Sequence, residues 1–390
     1  MPTSRSVLAN SLYCAIGNCV VSVLPPYRHR LATPERHVDE MRVVLVTDAW
    51  EPQTNGVVST LRYTMAEMQR LGIEVLRISP EQFTTVPCPS YPEIRLAVFP
   101  GPKVGALLNE FQPDAIHIAT EGTLGVAARQ WCIARKLRFT TSYHTQFPEY
   151  VRARWPIPLG VSYGYMRWFH DAAEQTMVST REMQSMLERR GFRNLKRWGR
   201  GVDTELFRPS GNLTAQTVPL FAYLGRVSIE KNVEAFLALD LPGRKLVIGD
   251  GPARESLQQR FPEVRFTGVL KGQALVSELN RASVLVFPSQ TDTFGLVMLE
   301  AIACGVPVAA FPVTGPIDVV TPGVTGELDQ DLRRAAIKAL QLDRAEIRRL
   351  ALTRSWANAT AEFVDNLVSA RKSLVGRRSA VPTRPHLQKL

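Results

Sequence analysis

The chain has 390 residues, 45% of them hydrophobic and 21% charged, with a formal net charge of +11. That composition excludes wholesale disorder, and the length calls for two domains or one very large one. Lys and Arg number 47 against 36 Asp and Glu, an excess that favours anionic partners (nucleotides, nucleic acid, acidic membrane) without choosing among them.

Residues 1–40 hold an apolar run, 12–24, behind Arg5, which hints at a signal peptide. The run is too short to span a bilayer, and no A-x-A cleavage site follows it. The segment is expected to be a flexible extension ahead of Met41. From there the pattern is strand, loop, helix, repeated. VVLVT is apolar and β-branched, and predicts a strand over 43–46. The loop DAWEPQTNGVVST leads into an amphipathic helix over 59–71. Further strands are predicted over 74–78, 115–118, 139–143 and 176–178. Short runs of this kind suit parallel strands covered on both faces by helices.

RPSGNLTAQTVP, residues 208–219, reads as a linker. The pattern then restarts, with strands predicted over 221–224, 245–248, 264–267, 284–287 and 308–310 between helical segments. The tail from Arg371 is basic, contains proline and is expected to be disordered. Cys14, Cys19, Cys88, Cys132 and Cys304 form no CxxC pair and no metal-like cluster, so a reduced, cytosolic protein without zinc is expected. The fold class is α/β: two doubly wound domains whose strand ends surround a crevice suited to a nucleotide-type ligand.

Candidate chemistry concentrates in the second unit. Gly225-Arg226 closes its first strand, and Lys231 follows in GRVSIEKN. Arg offers planar two-point contact to a diphosphate and Lys a point charge, although basic loop residues are more often simply solvated. In FPSQTDTFGLVMLEAIACGVP, Thr293-Phe294-Gly295 is expected at a helix N-terminus, where free amides accept phosphate or sugar oxygens. Asp292 and Glu300 are expected near one face of that helix, gripping hydroxyls; the plainer alternative is an N-cap Asp and a surface Glu. Asp329-Gln330-Asp331 has a metal-like D-x-D spacing, but opens a predicted helix and reads better as a cap.

GRVSIEKN, GDGP at residues 249–252 and PSQTDTFGLVMLEAIACGVPV together resemble glycosyltransferase family four, a retaining family with the GT-B fold, over residues 41 to about 370. The family pattern is Glu, seven residues, Glu; here Asp292 replaces the first. The resemblance implies that Arg226 and Lys231 bind the donor diphosphate and that Glu300 binds the ribose hydroxyls. Asp292, with the amides of Phe294, Gly295 and Leu296, would hold sugar and phosphate. Gly56 would approach the diphosphate closely, as a residue without Cβ can. His144 would touch the donor sugar. No metal or other cofactor is implied, and the leaving diphosphate would help deprotonate the acceptor. The implied layout is an acceptor-side domain over 41–210, a donor domain over 219–350 and a helical segment over 351–370 returning to the first domain.

NGVVST, SYHTQFPEY and TDTFGLVMLEA are most similar to the branch containing GDP-mannose-dependent α-mannosyltransferases and sulfoquinovosyl- or glucuronosyl-diacylglycerol synthases. That implies a nucleotide-sugar donor, a lipid or glycan acceptor, and peripheral association with the inner face of the cell membrane. Residues 150–200 interleave Arg152, Arg154, Arg167, Arg189, Arg190, Arg193, Lys196 and Arg197 with Trp155, Tyr163, Tyr165, Trp168 and Phe169. The segment fits either an anionic membrane surface or a solvated basic helix with its aromatics in the core. Alternatives are a transferase for cell-surface polysaccharide, a nucleotide-sugar 2-epimerase-like enzyme and a non-catalytic nucleotide-sugar binding module. No zinc, RNA-recognition or helix-turn-helix signature points to nucleic acid.

Overall fold

The computed structural model describes residues 41–53, 55–88, 91–210 and 218–370. The N-terminal extension with Cys14 and Cys19, most of the linker and the basic tail lie outside the described residues. The first half runs β1 (Arg42–Val46), α1 (Gly56–Arg70), β2 (Glu74–Ile78), β3 (Thr85–Cys88), β4 (Tyr91–Ala97), α2 (Gly101–Phe111), β5 (Ala115–Ile118), α3 (Thr123–Ala134), β6 (Thr140–Tyr143), α4 (Phe147–Arg154), α5 (Leu159–His170), β7 (Gln175–Val178), α6 (Arg181–Arg189) and β8 (Leu195–Arg197). Six of these strands form a parallel sheet in the order β2-β1-β5-β6-β7-β8, and β3 and β4 pair separately as an antiparallel hairpin.

The second half runs β9 (Leu220–Leu224), α7 (Val233–Leu237), β10 (Arg244–Ile248), α8 (Arg254–Arg260), β11 (Arg265–Phe266), α9 (Gly272–Asn280), β12 (Val284–Phe287), α10 (Leu296–Ala303), β13 (Val308–Ala310), α11 (Pro316–Val319), β14 (Gly326–Leu328), α12 (Leu332–Ala339), α13 (Arg344–Ala351) and α14 (Trp356–Asp365). Its parallel sheet has the order β11-β10-β9-β12-β13-β14, the arrangement of a dinucleotide-binding Rossmann sheet.

Strand periodicity explains why both sheets carry helices on each face. In β1, Val44 and Val46 pack with Val104, Leu108 and Leu124 of α2 and α3, while Val43 and Leu45 pack with Leu61 and Met68 of α1. These four β1 side chains are fully buried; each contributes about 1.5–3 kcal/mol relative to exposure. β9 repeats the arrangement, with Leu220, Ala222 and Leu224 in one core and Phe221 and Tyr223 in the other. After the second sheet the chain crosses back: Trp356 of α14 stacks on Tyr63 of α1 at 4.9 Å, and Phe363 packs 4.7 Å from Trp198.

Several boundaries differ from the sequence expectation. α1 begins at Gly56 and not at residue 59, because the Asn55 side chain caps it, accepting from the amides of Val57 and Val58 at 3.0 Å each. The β3–β4 hairpin, β8 (LKR) and β14 (GEL) were not anticipated; the last two have no apolar run to announce them. Strand order reverses between β1 and β5 in the first sheet and between β9 and β12 in the second. The loops after those four strands are where such folds bind ligands.

Candidate active site

Two glycines bring the loops after β9 and β10 together. Gly225 has φ 145° and Gly249 φ 144°, and a Cβ on Gly249 would stand 1.8 Å from the Gly225 carbonyl oxygen. Arg226, partly buried, and Lys231 therefore sit at the strand-order reversal of the second sheet. The Arg226 carbonyl accepts from the Tyr223 hydroxyl at 2.6 Å. The Lys231 ammonium donates to Oδ1 of Asp292, and their side chains are 19% and 14% exposed. Burial opposes the ammonium charge, but Asp292, Tyr150 and Tyr223 outweigh it and hold the Lys231 pKa above its usual value.

The loop after β12 corrects one expectation. Gly295 is the N-cap of α10, in the left-handed region at φ 84°, and a Cβ there would meet Met298 Cε at 2.7 Å. Asp292 therefore lies upstream of the cap and cannot share a helix face with Glu300. The left-handed residue breaks the helical path between them. Phe294 is buried in the core, and Leu296 opens the helix. Glu300 is partly buried within α10, and burial pushes its carboxyl up to about 7. Burial raises the Tyr63 hydroxyl of α1, with smaller contributions from the Asp203 and Glu300 charges.

The first domain meets this loop directly. Thr293 Oγ1 donates to the His144 carbonyl at 2.7 Å, and Ser179 Oγ donates to the Thr293 carbonyl at 2.8 Å. Asp318 of α11 accepts from the first amides of α6, Arg181 at 3.3 Å and Glu182 at 3.2 Å. Gly56 faces Leu296: a Cβ added to it would touch only Leu296 Cδ1, at 3.7 Å, an ordinary contact. Its φ is not positive, so the fold itself does not require glycine there. His144 follows β6, 9% exposed, and burial with the Arg200 charge holds its pKa well below the usual imidazole value. Among the described residues, His144 Nε2, Asp292 Oδ2, Ser228 Oγ and Ser289 Oγ are buried without a hydrogen-bond partner. Buried polar atoms usually find partners, and these four, on the loops after β6, β9 and β12, are available to a ligand's oxygens and hydroxyls.

Three residues escaped the sequence reading. Tyr150 was grouped with the basic–aromatic segment, yet its hydroxyl interacts with Lys231 and Asp292 in the other domain. Arg200, in WGRGVD, packs behind His144, and Asp318 joins the domains. No local period marks any of them, because each acts on a segment distant in sequence.

The basic–aromatic segment divides. Tyr163 and Phe169 are core residues, Arg190 lies over the Tyr163 ring at 3.9 Å, and Arg189 pairs with Glu182. Trp155, Tyr165 and Trp168 are exposed. Asp331 caps α12, accepting from the Arg334 amide at 3.1 Å, and Asp329 pairs with the Arg334 guanidinium. The D-x-D string is therefore used in capping.

Both halves of the chain are similar to known glycosyltransferases. Glycosyltransferase Family 4 matches residues 54–206, and Glycosyl transferases group 1 matches residues 219–342. A GDP-mannose-dependent alpha-mannosyltransferase of Mycolicibacterium smegmatis is 31% identical over 380 residues, covering 87% of this chain and 99% of its own length. Sulfoquinovosyl transferase SQD2 of Arabidopsis thaliana is 29% identical over 292 residues, covering 67% of this chain and 57% of its own. Sucrose-phosphate synthase of Thermosynechococcus elongatus superposes with a TM-score of 0.66 at 21% identity, over 83% of this chain and 98% of its own. HepE of Anabaena, solved in complex with UDP-glucose, gives 0.63 at 16% identity over the same shares.

Fold and relatives together define a GT-B glycosyltransferase, a hexosyltransferase that uses a nucleotide sugar. The chain belongs to glycosyltransferase family 4, with relatives named as mannosyl and sulfoquinovosyl transferases.

Proposed function

We propose that the chain moves a mannosyl or a glucose- or uronic-type residue, with retention, from a nucleoside-diphosphate sugar to a membrane glycolipid or diacylglycerol at the inner face of the cell membrane. One observation carries the donor half: Arg226, Lys231 and Asp292 gather at the strand-order reversal of the second sheet, opposite His144 and Gly56. The diphosphate lies between the two cations and the first amides of α10, where the helix dipole favours an anion. Gly56 leaves room for it. Lys231 keeps one donor for phosphate beyond those given to Asp292 and Tyr150, and Asp292 Oδ2 accepts from a sugar hydroxyl. Glu300 accepts from the ribose hydroxyls. Two cations and a helix N-terminus supply the charge stabilisation, so no divalent metal is needed.

The acceptor half rests on the first domain. An open groove of about 440 Å³ begins at Glu121–Thr123, beyond β5, and is lined by Leu96, Pro100, Val126 and Tyr165. Val161, Tyr165 and Trp168 form an exposed apolar row along α5, and Phe99 beside the groove is 91% exposed. An apolar row next to an apolar groove suits a lipid acceptor reached from the membrane surface. No helix among the described residues is long and apolar enough to cross a membrane. A Streptococcus pneumoniae relative, 26% identical, is named as an alpha-monoglucosyldiacylglycerol synthase.

The test is a donor panel of GDP-mannose, UDP-glucose, UDP-glucuronate and UDP-sulfoquinovose against diacylglycerol and membrane extracts. Release of nucleoside diphosphate that depends on a lipid acceptor is the expected result. Interconversion of a donor without an acceptor, or transfer only to soluble acceptors, would refute the corresponding half.

A further inference from the structure

The ring of His144 is held from behind. Its Nδ1 lies 3.3 Å from Nη2 of Arg200, a side chain only 7% exposed. Nη1 of the same guanidinium donates to the carbonyls of Trp198 at 2.6 Å and Gly199 at 2.8 Å, and the group stacks on the Trp198 ring at 4.2 Å. Trp198 in turn meets the His144 ring edge-on at 5.6 Å. A guanidinium has donors only, so Nδ1 must offer its lone pair and the ring proton must sit on Nε2. The titratable groups facing the ring are Arg200 from the loop after β8, His117 from β5 and His170 from α5. A second proton on His144 would therefore stand beside a buried cation. Nε2 is itself buried and without an acceptor.

We propose that Arg200 is a positioning residue that holds His144 as a neutral imidazole protonated on Nε2, so that His144 offers the nucleotide sugar a hydrogen-bond donor and not a base. The part concerning the sugar rests on the donor-site reading above; the part concerning the tautomer does not. His144 then takes no proton from the acceptor. It stabilises an oxygen of the donor, and Arg200 keeps it from turning its lone pair toward the substrate.

The first measurement is nitrogen NMR on the full chain labelled with ¹⁵N-histidine, with His144 assigned by the signals lost in His144→Gln. The expected pattern is an unprotonated Nδ1 and a protonated Nε2 between about pH 6 and 8. Arg200→Met should mix the tautomers while the ring stays neutral, because burial, the larger cause of its lowered pKa, remains; Arg200→Lys should restore the pattern. A protonated Nδ1 in the unmodified chain, or an unchanged pattern in a folded Arg200→Met, would overturn the proposal. The second measurement leaves Arg200 in place, so it survives any folding failure of that variant. In His144→Gln the amide nitrogen reaches the position of Nε2; in His144→Asn it reaches that of Nδ1. We expect Gln to keep kcat/KM within about tenfold and Asn to lose about a hundredfold, the scale of one removed donor. Asn matching or exceeding Gln would overturn the donor assignment. If both matched the unmodified enzyme, His144 would not meet the sugar, and the NMR result would judge Arg200 separately.

Discussion

Replacing Glu300 by Gln tests the ribose assignment through its pH dependence. Burial raises the Glu300 carboxyl to about 7 in the unliganded protein, against about 4.3 in an unfolded chain. The folded state therefore keeps a proton that the unfolded state has released between those values. Stability contributed by this group falls as pH rises through that window, by at most about 3–4 kcal/mol at 1.36 kcal/mol per unit, and by less because the residue is only partly buried. Binding reports the same group with the opposite sign. An ionised carboxylate accepting hydroxyl hydrogen bonds is worth about 1.5–3 kcal/mol per bond, against about 0.5–1.5 for a neutral amide, a net difference near tenfold in affinity. Calorimetric titration with the nucleoside diphosphate should thus show Glu300→Gln about tenfold weaker at about pH 8.5. The gap should shrink below about twofold at about pH 5.5, where the native residue is neutral as well. Taking the ratio of the two proteins removes the titration of the ligand's own phosphate. An equal ratio at both pH values, or none at either, would refute the assignment.

Arg226→Ala and Lys231→Ala should each weaken nucleoside-diphosphate binding by about 2–5 kcal/mol if the contacts are desolvated, and unchanged calorimetric affinity in both would remove the clamp. Lys231→Ala should also lower the melting temperature, since it strands the part-buried Asp292 carboxylate; the additional change Asp292→Asn should recover part of the loss. EDTA should leave turnover largely intact, because Asp329 and Asp331 are engaged by Arg334 and the α12 cap; abolition by EDTA with rescue by Mn²⁺ would count against metal independence. Phe99, at φ 46° and 91% exposed, can become Asn at little backbone cost, since Asn tolerates the left-handed region. Phe99→Asn combined with Val161→Gln should reduce co-sedimentation with anionic vesicles while sparing nucleotide affinity. Equal sedimentation would move the membrane contact elsewhere.

The strands β1, β12 and β13 were legible because a parallel strand covered on both faces must be apolar throughout, and VVLV and VLVF say so locally. The chain also displayed the members of the donor cluster that share loops: Arg226 and Lys231 after one strand, and Asp292 and Gly295 after another. Only the folded protein could show that Asp292 spends itself on Lys231 rather than capping α10. The cap depends on Gly295 entering the left-handed region, and the ion pair joins loops 61 residues apart. Nor could residues 150–200 be sorted in advance. Arg and aromatic residues read alike on a membrane face and over a core, and the turn of α5 decided that Tyr163 goes inward while Trp168 stays out. Tyr150, Asp318 and Arg200 carry no sequence signal because their partners belong to distant segments. Local pattern records which face of an element is buried, and that determined the two sheets. Which loops meet across the boundary depends on strand order and on the return of α14, and tertiary packing alone decided those contacts.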